Sequence, residues 1–153
     1  MTQAIIIEGN AIYRLNDNSF VLDNMIISSD HSKLALTLNG IPISSNSKAP
    51  SSDLEITGKL DLNIANIQKQ LNALGQSAIA TSDSEALKTL SLNADIAGQI
   101  TDKKQTFSLA KVNASLDDSK IDGALSILLR DKQKPLLSSK LNIDAINLDR
   151  YLA

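Results

Sequence analysis

Cysteine and tryptophan are missing altogether from the 153 residues, and the chain has one His, two Phe and two Tyr. Without Cys there is no thiol nucleophile, disulfide or zinc cluster, and a single His leaves no Cys/His catalytic pair. A Cys-free chain suits a reducing cytosol and an oxidising periplasm alike, so this absence does not locate the protein. Aromatics make up 3% of the residues, too few for a platform that stacks bases or sugars. Neither sign of charge dominates: fifteen Lys and Arg against seventeen Asp and Glu leave a net charge of −2. No positive field gathers phosphates, and nucleic acid is not an expected partner. No apolar run reaches the length of about 18 residues that a membrane-spanning helix needs. The opening Met1-Thr2-Gln3-Ala4-Ile5-Ile6-Ile7-Glu8 turns polar too soon for a signal peptide. Gly-x-Gly and Gly-x-Ser-x-Gly are both missing, which removes the phosphate loop and the nucleophile elbow.

What the chain does have is aliphatic. Its apolar fraction of 42% is nearly all Leu, Ile and Ala, and these residues recur with period two. Leu34 to Leu38, Leu60 to Ile64, Leu90 to Ile96, Leu125 to Leu129 and Leu141 to Ile143 all alternate with polar residues, the pattern of strands with one apolar and one wet face. Polar turn clusters at Asn16-Asp17-Asn18-Ser19, Ser28-Ser29-Asp30-His31, Thr101 to Lys104, Asp117-Asp118-Ser119 and Arg130 to Pro135 separate the strands. The expected fold is mainly β with one or two short helices, a curved antiparallel β-meander.

Asn66 to Gly75 has apolar residues at 67, 71 and 74, a capping Asn and a terminating Gly, and predicts a short helix. Ser82-Asp83-Ser84-Glu85 has the form of a capping box before Ala86, Leu87 and Leu90, and predicts about two helical turns leading into a strand. Gly40 to Asp53, rich in Ser with Pro42 and Pro50, reads as a loop. Gly58 and Gly123 lie inside alternating runs and are expected to mark bulges or bends.

At an offset of 87, Phe20 falls on Phe107, Leu22 on Leu109, Met25 on Val112, Ser28 on Ser115 and Asp30 on Asp117. Each copy of this hairpin is followed by a further strand, Leu54 to Ile64 or Leu136 to Ile143, and then by a helix-like start at Asn66 or Asn147. The expectation is two similar multi-strand repeats, residues 1–75 ending in a helix and 76–153 opened by one, together forming one structural unit of a longer array.

Candidate sites are few. His31 stands beside Asp30 in a turn, with no second His or Cys to share a metal. Asp117-Asp118, Asp144 and Asp149 fall in turns or on wet faces, where solvated carboxylates belong, so no catalytic residue, metal site or cofactor is expected. Asn113-Ala114-Ser115 has the glycosylation pattern but lies within a strand. Lys103-Lys104 and the run Arg130 to Lys134 place cations in two turns, where they either keep a sheet soluble or attract lipid head groups. The remaining candidate is the apolar face of Leu90, Leu92, Ile96, Phe107, Leu109, Val112, Leu116, Leu125, Ile127, Leu141 and Ile143. Covered by a second sheet it is core; in an open sheet it is a groove suited to acyl chains, and alternation alone leaves both readings open.

The segment Phe107 to Ile127, then Lys134-Pro135-Leu136, and finally Leu141 to Leu152 with its Leu148-Asp149-Arg150-Tyr151-Leu152 ending, resembles the AsmA family. Asp83 to Ile96 is similar to the short helix and strand that precede this region in the family. The resemblance covers residues 50–153 best. It implies a non-enzymatic periplasmic domain of a Gram-negative envelope protein involved in outer-membrane biogenesis, anchored to the inner membrane by a helix outside these residues. Larger relatives are credited with carrying phospholipid between membranes in an elongated β-groove. The implied partners are phospholipid or another acyl lipid. A structural or interaction module with a closed core, binding envelope assembly proteins through a strand edge, is the alternative.

Overall fold

The computed structural model of the chain describes residues 4–43, 53–131 and 133–152. Eight strands follow one another in space in the order of the chain: β1 (Ile6–Arg14), β2 (Ser19–Ser29), β3 (Ser32–Pro42), β4 (Leu54–Ile64), β5 (Leu90–Ile100), β6 (Lys104–Leu116), β7 (Ser119–Arg130) and β8 (Leu136–Ile143). Every neighbouring pair is antiparallel. The molecule is thus one open meander, a sheet whose edges are β1 and β8. Substantial contacts between elements join successive strands only, so among the described residues no second layer packs on either face.

Alternation sorts the side chains, and the register carries the sorting across the sheet. One row runs Ile7, Ile27, Leu34, Leu62, Leu92, Ala114, Ile121, Ile143, with each residue opposite the next. Another runs Tyr13, Phe20, Gly40, Ile56, Gly98, Phe107, Ile127, Leu137. The intervening positions of β4, Glu55, Thr57, Lys59, Asp61 and Asn63, point to the opposite, polar face.

The tightest packing lies in the middle of the apolar face, where Ala94, Val112 and Ala114 are buried against Leu92, Leu109 and Ile121. Around Ile56, two glycines give the sheet's Phe rings their space. A Cβ on Gly40 would lie 2.1 Å from the Phe20 ring, and one on Gly98 would lie 3.1 Å from Phe107. Both rings therefore rest over bare backbone on either side of Ile56.

Bulges recur at the offset of 87. The β2 ladders shift around Asp23–Asn24 and the β6 ladders around Ala110–Lys111, with Asn24 and Lys111 both at φ 50°. Each bulge bends its strand and increases the local twist. Gly123, at φ 148°, pairs with Val112 beside the β6 bulge, as expected of it. Gly58 differs, because both of its ladders run through it without a shift. It is needed for close approach, since a Cβ there would lie 2.0 Å from the Thr37 carbonyl oxygen.

The helix expected at 66–75 is α1 (Ile67–Ala73), whose cap Asn66 accepts the Lys69 N–H at 2.8 Å, with Gly75 at φ 74° just beyond. The two turns of helix expected from the capping box at 82–85 do not form, and residues 84–87 make an irregular turn. Asp83, not Ser82, accepts the Glu85 N–H at 2.8 Å, Leu87 has φ 55°, and the distant Asp117 carboxylate takes the N–H groups of Leu87, Lys88 and Thr89. A charged acceptor for three successive donors outcompetes local helix formation. The expected loop also starts later than Gly40, because Gly40, Ile41 and Pro42 pair with Ile56, Glu55 and Leu54; residues 44–52 of that loop lie outside the described residues.

Candidate functional site

All eleven residues of the expected apolar face point to the same side of β5–β8. Leu90 pairs with Leu116, Ile96 with Leu109, and Phe107 with Ile127. Leu109 pairs with Leu125, Val112 with Gly123, and Gly123 in turn with Leu141. Leu92 and Ile143 belong to the row that crosses the whole sheet. Val112 is buried, Leu141 and Ile143 on the edge strand are exposed, and the others are half-buried.

The face extends well beyond these eleven. Leu22, Met25, Ile27, Leu34, Leu36 and Leu38 continue it through β2 and β3, and Ile56, Leu60, Leu62 and Ile64 through β4. Their signal was in the alternation at 34–38 and 60–64, which marks the strands without revealing that both halves share one face. Seven inter-strand spacings of about 4.8 Å make it about 34 Å across.

An apolar cleft of about 190 Å³ lies on the β5–β8 part, lined by Ile96, Phe107, Leu109, Leu125, Ile127 and Leu137 together with Ser108 and Ser126. Three residues beyond the Phe107–Ile127 pair, and therefore turned to the opposite face, Lys104 and Arg130 line a polar cleft with Lys103, Asp102 and Asp131. The two cationic turns of the sequence are therefore neighbours at one end of the sheet. Lys104 and Arg130 are a direct cross-strand pair of like charges, and Asp102 and Asp131 in the same cleft temper their repulsion. Lys132 of the same run lies outside the described residues.

The opposite end is closed by a polar latch. Burial would raise the Asp117 carboxyl, but the N–H groups of Thr89, Leu87 and Lys88 and the Tyr151 hydroxyl outweigh it and hold the group below its usual value. Arg150 donates its Nε–H to Asp83 at 2.7 Å and reaches Asp118 at 3.2 Å, and Asp83 is lowered by the Glu85 N–H and then by Arg150. Ser82 Oγ donates to the Asp149 carbonyl. Asp144 accepts the N–H groups of Lys120 and Ala145 at 2.8 and 2.6 Å, which hold it below its usual value. These carboxylates are consumed by backbone and Arg150, and no group of three or more metal-ligating side chains occurs among the described residues. His31 is half-buried in the β2–β3 turn, where its carbonyl accepts the Ala65 N–H.

Neither a protein-family model, nor a curated protein, nor a solved structure matches the chain.

Proposed function

We propose that the apolar face accommodates lipid, as a non-catalytic periplasmic segment of an AsmA-like protein that works in outer-membrane biogenesis. The observation that carries this reading is the size and continuity of the face, which has apolar rows across eight strands and, among the described residues, no second layer upon it. The hydrocarbon core of a bilayer is about 30 Å thick, so one acyl chain needs about half that length. The face, about 34 Å across, is long enough for such a chain. Sheltering a methylene recovers about 0.8 kcal/mol, so fifteen of them recover about 12 kcal/mol before the costs of association. The cleft beside Phe107 and Ile127 offers the acyl end a dry wall, and Lys103, Lys104 and Arg130, in the turns at the same end of the sheet, are the cations available to an anionic head group beyond it.

The test is native mass spectrometry of the delipidated chain with added phospholipid. A bound phospholipid mass, lost in a Leu109→Asp variant that retains a β-type circular dichroism spectrum, supports the reading. A folded protein that forms no adduct at any lipid concentration overturns it. The alternative, a protein-interaction module, draws on the exposed edge strands β1 and β8, and pull-down of envelope assembly proteins without lipid binding would favour it.

A further inference from the structure

The repeated register identifies a partner for the two free edges. Ile27 pairs with Ile7, and Ala114, 87 residues later, pairs with Leu92, so β1 occupies the place of β5. Leu34 pairs with Leu62, and Ile121, again 87 residues later, pairs with Ile143, so β8 occupies the place of β4. Within the chain β4 and β5 are joined by eleven cross-strand pairs without a register shift. On the equivalent edges, the outer sides of β8 and β1, no strand pairs among the described residues. We propose that β8 of one molecule pairs antiparallel with β1 of a second copy, reproducing the β4–β5 junction and extending the sheet head to tail.

The junction's register, transferred to the edges, sets Ile143 opposite Ile7 of the second copy, as Leu62 is opposite Leu92, and Leu141 opposite Gly9, as Leu60 is opposite Ala94. The large-against-small match of Leu60 and Ala94 is preserved at that pair, while Leu137 meets Tyr13 where Ile56 meets Gly98. On the polar face, Asn93 Nδ2 donates to Asp61 at 3.3 Å; at the new junction Asn142 would meet Glu8, with amide and carboxylate exchanged between the strands. Both edges carry large exposed apolar side chains, Ile6, Ile7 and Tyr13 on β1 and Leu137, Leu141 and Ile143 on β8, where solitary sheets usually place charge or proline. Because the two edges differ, pairing is heterologous and builds a ring or an open filament, not a closed two-fold dimer. The proposal does not depend on lipid.

The chain has no cysteine, so disulfide trapping reports the register directly. Ile12→Cys with Ser138→Cys places two thiols opposite each other on the polar face of the new junction, while within one molecule they lie on opposite edges of the sheet. Mild oxidation is expected to give a ladder of covalent oligomers. Ile12→Cys with Leu137→Cys, whose thiols face opposite sides, is expected to give none. In sedimentation without lipid, the mass of the unaltered chain should rise with concentration. Ile12→Glu with Ser138→Glu should return it to monomer, and Ile12→Lys with Ser138→Glu should restore assembly. All these positions are exposed, and circular dichroism checks that each variant is folded. A monomer at every concentration with no ladder overturns the proposal. So does a Ser138→Cys single variant that yields covalent dimers as readily as the pair yields a ladder, because that outcome means β8 pairs with β8.

Discussion

The Tyr151 hydroxyl donates to the Asp117 carboxylate at 3.1 Å, tying the C-terminal segment to the turn between β6 and β7. The same carboxylate holds the backbone of Leu87, Lys88 and Thr89 at 2.8–2.9 Å, so one side chain fixes both segments that close this end of the sheet. Replacing Asp117 with Ala should cost about 2–3 kcal/mol by leaving these donors unpaired, and Tyr151→Phe about 1 kcal/mol. Urea unfolding measures both, and a cost for Asp117→Ala no larger than that for Tyr151→Phe would contradict the shared-acceptor role.

Acid should undo the same latch. Asp117, Asp83 and Asp144 are all held below their usual values. A carboxyl with a depressed folded-state pKa contributes stability that is present above the unfolded value of about 3.9 and is lost as pH falls through the folded value. Stability should therefore hold steady near neutrality and decline below about pH 4. In Asp117→Asn that acid decline should be shallower; an identical decline in the two proteins would assign it to other groups.

Gly123→Ala should act on the edge strand. At φ 148° the new Cβ would sit 2.0 Å from the Lys140 carbonyl oxygen, so β7 and β8 cannot keep their present approach. The expected cost is about 1–3 kcal/mol. Hydrogen exchange should show β8 losing protection while β3 and β4 keep theirs, and uniform exchange across the sheet would count against a local effect.

Charge at the cationic rim should separate stability from binding. Because Lys104 and Arg130 face each other across the ladder, Lys104→Glu should raise stability by about 0.2–1 kcal/mol. The same change should weaken attachment to anionic vesicles, most visibly at low salt, where screening is least. Thr57→Glu, an exposed substitution on the polar face, should leave vesicle attachment unchanged. Because Lys104→Glu changes the charge by two and Thr57→Glu by one, a loss in Thr57→Glu half as large as that in Lys104→Glu would point to overall charge.

Strand periodicity carries much of this fold, down to the bounds of Leu54 to Ile64 and Leu136 to Ile143. Asn66 and Gly75 likewise mark α1, because its cap is satisfied within the segment itself. Signals that need a distant partner were silent. The capping box at Ser82 loses its helix to Asp117, some thirty residues away. β1 gives no strand signal in the sequence, because Ile5-Ile6-Ile7 followed by Gly9 breaks the alternation. The openness of the apolar face was also hidden, since Leu90 to Ile96 alternates in the same way whether or not another layer lies above it. The eleven residues expected there share one face, while their continuation through Leu34 to Leu38 and Leu60 to Ile64 becomes visible once the ladders set the two halves side by side.

Contacts between successive strands alone make the molecule effectively one-dimensional. Except at the longer connections between β3 and β4 and between β4 and β5, each step of folding closes only a short loop, so zippering can start in either half and advance sideways at low entropic cost. The same economy makes the β1–β4 half mechanically serial. Among the described residues no second layer shares tension applied across its ladders, so its strands should peel away one after another from the β1 edge, whereas in β5–β8 the ties of Arg150 and Tyr151 to Asp83 and Asp117 must give way as well.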